Sequence, residues 1–308
     1  MIILLNPHAG GGTALDKWRR ISAILPPIRE KIELYFLEAQ LDLDGVVKAA
    51  VSRGDHHFLA AGGDGTVNAT LNALMRLPPS LRERVIFGAI GLGSSNDFHK
   101  PADADHIIEG IPARMDFQHP AWRDVGSVRI GQSGHSSIHY FLINASAGIT
   151  AEGNALFNKP DMLLSWLKSH STPMAILYAA LRALTMHENR PCTIKIRGYS
   201  PLSLNLTNLG IVKNPHFSGS LHYEVPANYA DGDFQIFLAE DMHLIERVGL
   251  LQALSRGKFR GLAKTRSLHA PELTIASSRT LLLELDGEIH QADHAEFTIL
   301  PKTLQVCS

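Results

Sequence analysis

This chain of 308 residues has few cysteines, almost no net charge and no residue spacing typical of zinc ligands. Its two cysteines, Cys192 and Cys307, form no CxxC or other paired spacing, so we expect a reduced, cytoplasmic protein. The net charge of −1 provides no broad basic surface, which argues against nucleic acid as a partner. The sixteen histidines show no HExxH or paired ligand spacing, so they predict no zinc site.

Long hydrophobic segments are also missing from the sequence. The first residues, 1–6, lack a basic region, and their apolar stretch is too short for a signal peptide. The most apolar later segment, Pro173 to Met186, carries Arg182 and is shorter than a membrane span. We therefore expect a soluble protein that contacts a membrane only transiently, at its surface.

The first third of the sequence alternates apolar runs with helical patterns. Such alternation predicts an α/β domain, in which a parallel sheet carries helices on both faces. The predicted elements, in chain order, are strand 2–5, helix 15–25 ended by Pro26-Pro27, strand 32–37, helix 43–50, strand 57–61, helix 67–75 and strand 85–90.

Three loops rich in glycine and small polar residues follow strands of this sheet, at 6–13, 62–66 and 91–97. Ligands of such sheets bind beyond the carboxyl ends of the strands, where these loops converge. Glycines let the backbone approach a ligand, and the following helix N-terminus attracts phosphate. Asp64 adds a carboxylate to this anion site, which indicates a bridging cation and hence a nucleotide with Mg²⁺. The alternative is a tight turn with Asp64 as the helix N-cap.

Beyond residue 122 the sequence consists of short β-type runs separated by turn residues, with helical insertions near 161–187 and 242–254. This pattern predicts an antiparallel domain, most simply a β-sandwich. The runs are 128–130, 140–144, 193–197, 202–206, 234–239, 273–275, 281–285 and 297–300.

Residues 62–68, Gly-Gly-Asp-Gly-Thr-Val-Asn, follow an earlier Asn6-Pro7 and precede the Gly-Ser-Ser-Asn-Asp-Phe run at 93–98. Together these motifs resemble the diacylglycerol kinase catalytic-domain family, which includes bacterial lipid kinases and sphingosine and ceramide kinases. The Gly-Gly-Asp-Gly-Thr core alone is shared with NAD kinases and phosphofructokinases. Asn96-Asp97 and a late Asp-Gly-Glu make the resemblance specific to the lipid kinases. The likeness continues in family order through 124–126, 141–148, 230–234 and 285–288.

The resemblance implies a nucleotide-binding α/β domain of the phosphofructokinase/NAD-kinase type over 1–122 and a β-sandwich domain for the lipid substrate over 123–300. The tail, 301–308, is expected to return to the first domain. The residues implied to hold ATP are Asn6, Gly62, Gly63, Asp64, Gly65, Thr66, Asn68, Gly93, Ser94, Asn96 and Asp97.

The resemblance also implies roles for acidic residues. Asp64, Asp97 and Asp124 would place Mg²⁺ through water, which suits an ion that dehydrates reluctantly. Asp286 would be the base that takes the proton of the lipid hydroxyl, with Glu288 in support. Taken alone, Asp286-Gly287 favours a hairpin turn, and only together with the three nucleotide loops does it favour the base.

Other positions keep two interpretations. Asp231 and Asp233 form either a second site, for Mg²⁺ or Ca²⁺, or a simple Asp-Gly turn. Asp116 is a rival of Asp124 for the acidic network.

The first loop has Gly11 and Gly12 where the family often has a basic residue. Lys17, Lys100 or the backbone alone would then neutralise the phosphates. Ser94 stands for the usual threonine of its loop and keeps the hydroxyl group.

The sequence thus predicts a lipid kinase that uses ATP and Mg²⁺ to phosphorylate a hydroxyl of a membrane lipid such as diacylglycerol. The alternatives are an NAD kinase-like enzyme with a soluble acceptor and a nucleotide-binding regulator without turnover. The apolar stretch 162–167 either lines an acyl-chain cleft, touches the bilayer or packs on the sandwich. The oligomeric state is open and includes a homodimer.

Overall fold

The computed structural model describes residues 1–23, 32–101, 106–159 and 161–307. The chain divides into two compact units, one comprising Met1–Val125 with the C-terminal residues from Pro301, the other Gly126–Leu300. This division lies three residues beyond the boundary expected after residue 122. The predicted helix end at Pro26-Pro27 lies outside the described residues.

The first unit is built on parallel strands in the order β2-β1-β3-β4. A short antiparallel pair, β5 and β6, follows, and β6 lies against β4. The strands are β1 (Ile2–Leu5), β2 (Glu33–Phe36), β3 (His57–Gly62), β4 (Ile86–Gly91), β5 (Ile107–Ile108) and β6 (Ile111–Arg114). The helices are α1 (Ala14–Ser22), α2 (Leu43–Ser52), α3 (Asp64–Met75) and α4 (Pro79–Arg82).

Helices cover both faces of this parallel sheet, as the sequence predicts. Ile3 and Leu5 pack with Ile21 of α1 in one buried cluster. Successive strand residues point to opposite faces, so Ile2 and Leu4 face the other side, where α3 contacts β1 and β3. The apolar runs of the sequence are therefore central strands that are buried on two sides.

The second unit consists mainly of antiparallel strands. The strands, two of which begin or end in the first unit, are β7 (Ala121–Gln132), β8 (His135–Phe141), β9 (Asn144–Gly148), β10 (Arg190–Ile196), β11 (Leu202–Val212), β12 (His216–Phe217), β13 (Leu221–His222), β14 (Phe234–Glu240), β15 (Thr265–Ala270), β16 (Glu272–Leu285) and β17 (Glu288–Val306). The helices are α5 (Ile149–Asn158), α6 (Met162–His170), α7 (Thr172–Met186) and α8 (Leu244–Leu254).

Strand β14 shows how this unit buries apolar side chains on both faces. Phe234 and Ile236 belong to the main core between the strands. Phe237 points the opposite way and packs in a second cluster with Leu250 and Leu254 of α8. The predicted helical insertion near 242–254 thus covers β14, whereas α6 and α7 of the insertion near 161–187 pack on each other and, through α7, on α5.

Two strand predictions need correction. The run 140–144 is not one strand, because β8 ends at Phe141 and β9 begins at Asn144. The N–H groups in between donate to a side chain rather than to a neighbouring strand. The runs 273–275 and 281–285 belong to one strand, β16, whose pairing with β17 changes register between Ala276 and Leu281.

Candidate functional site

The three glycine-rich loops all leave the parallel sheet at the carboxyl ends of its strands. Leu5 pairs with Ala61, and Gly62 pairs with Gly91, so β1, β3 and β4 end side by side. A Cβ atom on Gly93 would lie only 2.5 Å from the Cα atom of Gly63. The second and third loops are therefore in backbone contact, and this contact requires glycine.

The first loop joins them through Gly10. Its φ angle is +61°, and a Cβ atom there would lie 2.5 Å from the carbonyl oxygen of Leu92. Gly11 and Gly12 also have positive φ angles. Glycine is thus needed to place this loop against the third one.

Helix α3 begins directly in the second loop. Its N-cap is Gly63, so the helix starts three residues before the predicted Val67, and the alternative of Asp64 as N-cap is wrong. The cap residue provides no side-chain acceptor for the first turn. The hydroxyl oxygen of Thr66 is buried and has no hydrogen-bond partner within the described ranges. An uncapped helix N-terminus beside an unused hydroxyl group is complementary to an anion.

Lys17 of α1 brings a positive charge to the same loops. Its Nζ donates to the carbonyl oxygens of Leu92, at 3.2 Å, and Gly93, at 3.5 Å. Within the described ranges no carboxylate forms an ion pair with Lys17, whereas Lys100 pairs with Asp97 at 2.6 Å. Of the two expected basic residues, Lys17 is therefore the one whose charge is available to a phosphate.

Two asparagines predicted to bind ATP shape the loops through their side chains. Asn96, in the left-handed conformation, accepts from the N–H of Gly93 and donates to the carbonyls of Gly91 and Gly93. Asn6 Oδ1 accepts from the N–H of His8. Their role in the structure is to fix the backbone that a ligand would meet.

The other residues predicted to contact ATP differ in how exposed they are. Asn68 is buried in α3 and accepts from the side chain of Asn72. Gly62 lies against the side chain of Thr66. Ser94 is exposed, whereas Gly65 is partly buried. The polar surface of these loops therefore consists of backbone together with a few small side chains.

The predicted metal-placing carboxylates each have a partner. Asp64 Oδ1 accepts from the N–H of Phe98 at 3.0 Å, which brings it to the segment that contains Asp97. Asp124 is 1% exposed and accepts from the N–H of Lys302 at 2.9 Å. No three acidic, histidine or cysteine side chains of the described residues are arranged as direct metal ligands. Placement of Mg²⁺ through water stays a prediction.

Asp116, the rival of Asp124, is engaged in its own turn. It accepts from the N–H groups of Gln118 and His119, and its second oxygen lies 2.8 Å from His119 Nδ1. The hydrogen bond from the His119 side chain is the main reason why the pKa of Asp116 is lowered. Asp124 stays the predicted member of the acidic network, with Asp116 as its alternative.

A buried basic cluster beside the third loop was missed by the sequence analysis. His99 is 3% exposed, and neither ring nitrogen has a hydrogen-bond partner among the described residues. Burial, with Arg114 and Arg123 nearby, lowers the pKa of His99 to about 3. The Arg123 guanidinium lies over the ring of Phe98, 5.6 Å from its centroid. Nothing in the sequence around these residues marks them as neighbours.

In the second unit, Asp286 occupies the turn between β16 and β17. It is 2% exposed and has a φ angle of +47°. Oδ2 accepts from the N–H of Leu142 at 2.8 Å, and Oδ1 accepts from Ile143 at 2.9 Å and Asn144 at 3.1 Å. These three N–H donors hold the carboxylate in one orientation.

Glu288, the predicted supporting residue, is exposed and pairs with Leu285 across the turn. Glu284, which the sequence analysis did not select, is the buried neighbour. It accepts from Ser146 Oγ at 2.7 Å and from the N–H of Gly287 at 2.5 Å. The available signal was a glutamate inside the apolar run of residues 281–285.

The second divalent site at Asp231 and Asp233 stays a prediction, and in this structure both carboxylates have basic neighbours. The Lys213 ammonium lies 2.5 Å from Asp231 Oδ1 and donates to the carbonyl oxygen of Asp233 at 2.9 Å. His269 Nδ1 lies 3.5 Å from the Asp233 carboxylate. A basic side chain therefore lies against each carboxylate.

Two family models match the chain. Residues 1–118 match the diacylglycerol kinase catalytic domain, and residues 144–308 match the YegS C-terminal NAD kinase beta sandwich-like domain.

Curated relatives cover nearly the whole chain at low identity. A diacylglycerol kinase from Staphylococcus haemolyticus is 25% identical over 99% of this chain and 87% of its own length. One from Staphylococcus carnosus is also 25% identical, over 99% of this chain and 93% of its own length.

Solved structures share the fold. A structure from Bacillus anthracis matches with a TM-score of 0.73 at 18% identity and covers 99% of this chain and 94% of its own. A diacylglycerol kinase from the same organism matches with a TM-score of 0.63 at 17% identity, over 99% of this chain and 95% of its own. The parallel α/β unit and the sandwich-like unit correspond to the two matched domains. The chain therefore belongs to the diacylglycerol kinase catalytic-domain family, with the YegS-type C-terminal domain.

Proposed function

We propose that this protein is a lipid kinase that transfers the γ-phosphate of ATP to a hydroxyl of a membrane lipid such as diacylglycerol. The observation that carries the proposal is the anion-complementary edge of the first unit. There the N-terminus of α3 lies beside glycine-rich backbone, the buried Thr66 hydroxyl and the Lys17 ammonium, and the hydroxyl has no partner among the residues described. Membership of a kinase family supports phosphoryl transfer as the reaction.

The residues of this edge fit a nucleotide with its metal. Backbone N–H groups of the glycine loops and the Thr66 hydroxyl would hold the phosphates, and Lys17 would neutralise part of their charge. Asp64 and Asp97 would hold Mg²⁺ through water. When bound, the metal neutralises negative charge that develops on the transferred group.

Asp286 would act as the base that accepts the proton of the lipid hydroxyl. Three backbone N–H donors hold its carboxylate in one orientation, which proton transfer within hydrogen-bond reach requires.

A lipid acceptor is favoured over a soluble one by the surface of α6. Met162 is 90% exposed, and Leu163 and Trp166 are about half exposed, an unusual set of neighbours for a helix in water. Trp and Leu side chains of this kind bind the interfacial region of a bilayer. In the described part of the chain, no helix is long and apolar enough to span a membrane.

A transfer assay distinguishes the candidate functions. Purified protein is incubated with radiolabelled ATP and Mg²⁺, with NAD or with mixed micelles that contain diacylglycerol, ceramide or sphingosine. We expect label in a lipid product and none in NAD. Label in NAD would replace the proposal by a soluble-acceptor kinase, and nucleotide binding without transfer to any acceptor would replace it by a regulator.

A further inference from the structure

Lys213, which directly follows β11, is a buried lysine with an unusual set of partners. Its side chain is 1% exposed, and its Nζ contacts the Asp231 carboxylate and the carbonyl oxygen of Asp233. A buried ammonium group is costly unless it is paired and hydrogen-bonded. Both conditions are met here by one short turn, 231–233.

The partners of Lys213 are those that a hard cation would use. A carboxylate oxygen and a backbone carbonyl oxygen are the usual ligands of Mg²⁺ and Ca²⁺. Asp231 Oδ1 also accepts from the N–H of Asp233 at 3.3 Å, so the turn and the ammonium group share this oxygen. The ammonium group thus lies where the sequence alone suggested a metal.

The backbone of Lys213 leads from this turn to Asp286. The N–H groups of Lys213 and Asn214 both donate to the carbonyl oxygen of Ile143 at 2.9 Å. The N–H of the same Ile143 donates to the Asp286 carboxylate. Ile143 is therefore held from one side by Lys213 and holds Asp286 on the other.

We propose that Lys213 is a built-in cation. Its ammonium takes the place of a divalent ion in the 231–233 turn, and through Ile143 it acts as a positioning residue for Asp286. The turn consequently binds no divalent metal in the parent protein. The second statement, on Asp286, rests on the proposed kinase function, whereas the first does not.

Calorimetric melting without nucleotide tests the first statement. The parent, Lys213→Met and a control, Lys195→Met, which alters an exposed lysine of β10, are compared in EDTA, Mg²⁺, Ca²⁺ and methylammonium. We expect the parent and the control to melt at the same temperature in EDTA and in the divalent cations. Lys213→Met should melt several degrees lower, and added cations should raise its melting temperature more than that of the control.

Two results would overturn this statement. One is a parent that EDTA destabilises and Ca²⁺ or Mg²⁺ restores. The other is a Lys213→Met variant that melts lower but responds to cations no more than the control does. If Lys213→Met does not fold, Lys213→Arg keeps the charge and should fold, and the EDTA comparison on the parent still decides whether a metal is present.

Kinetics test the positioning role. Because small misplacements of a catalytic group reduce turnover strongly, we expect Lys213→Met to lower kcat about 10- to 100-fold with little change in KM for ATP. Cations that restore the melting temperature should also restore kcat. An unchanged kcat would contradict the positioning role. A parent without any transferase activity would contradict the proposed function and would leave the melting result valid.

Discussion

Asp286 combines a left-handed backbone conformation with a carboxylate that accepts three backbone hydrogen bonds. Asparagine tolerates the same conformation, so Asp286→Asn should keep the turn. It removes the charge and the proton acceptor. We expect nucleotide binding to be retained and transfer to fall about 10²- to 10⁴-fold, the usual contribution of a general base. Titration calorimetry with ATP and the lipid kinase assay measure the two effects.

Near-normal turnover in Asp286→Asn would show that Asp286 is a turn residue and not the base. Loss of both nucleotide binding and transfer would point to misfolding, which circular dichroism detects. Glu288→Gln serves as the matched control on the same turn. The side chain of Glu288 is exposed, and the buried glutamate that bonds to the turn is Glu284. Glu288→Gln should therefore change transfer little.

Lys17 and Lys100 differ in their partners, and this difference predicts different effects of the same substitution. Lys17→Met removes an ammonium group that donates to two carbonyl oxygens and pairs with no carboxylate of the described residues, so ATP binding should weaken about tenfold or more. Lys100→Met removes a charge that Asp97 already neutralises. We expect a smaller loss of affinity, because the freed carboxylate can still hold a metal.

Titration of both variants with ATP and Mg²⁺ measures the difference. Equal losses of affinity in the two variants would mean that Lys17 has no special relation to the phosphates. Retained affinity in Lys17→Met would mean that the backbone and the N-terminus of α3 suffice to hold them.

At the scale of elements, the sequence predicted those strands and loops whose signal is a local pattern of residues. The strands β1, β3 and β4 and the glycine loops after them follow from apolar runs and from glycine. Their convergence follows from the parallel order, because parallel strands end at a common edge. The start of α3 at Asp64 was missed, since glycine and aspartate disfavour helix interiors and a helix N-terminus tolerates them.

Contacts between distant parts of the chain could not be predicted in the same way. Leu142 and Asp286 are 144 positions apart, and their hydrogen bond replaces the strand pairing expected over 140–144. Lys213 and Asp231 are 18 positions apart in a stretch whose Asp-Gly turn suggested a metal. No local pattern records which ammonium or N–H group such a carboxylate meets, so these partners appear only in the fold.

The exposed surface of α6 yields a prediction of its own. Leu163 and Trp166 are about half exposed, whereas their neighbour Leu164 is buried at 1%. The double variant Leu163→Ser, Trp166→Ser should therefore keep the fold and lose weak, reversible binding to lipid vesicles. Lipid phosphorylation should decline with it. Vesicle flotation, circular dichroism and the kinase assay measure the three properties.

Ile138→Ser provides a control, because Ile138 is a similarly exposed apolar side chain on β8. This variant should float with vesicles like the parent. Unchanged flotation and activity in the α6 variant would mean that the lipid is reached by another surface of the protein.

At the scale of the whole molecule, the buried His99 links stability to pH. Its pKa is about 3 in the folded protein against 6.5 for an ordinary histidine, chiefly because burial disfavours the charged ring. At a pH between these two pKa values, the ring of His99 binds a proton in the unfolded chain but not in the folded chain. The free energy of unfolding therefore falls as the pH drops below about 6.5, and is unaffected by this group above it. From pH 8 to pH 5 the loss is about 2 kcal/mol.

Substitution of His99 should remove that part of the acid sensitivity. Phenylalanine keeps an aromatic ring, and the two ring nitrogens that it eliminates have no hydrogen-bond partner in the part of the chain that the structure describes. The free energy of unfolding of His99→Phe, from urea denaturation at pH 8 and pH 5, should decline less than that of the parent by about 2 kcal/mol. His135→Phe, which alters an exposed ring, should keep the decline of the parent. Equal declines in all three proteins would show that His99 can accept a proton without unfolding, through rearrangement of the cluster that it forms with Arg114 and Arg123.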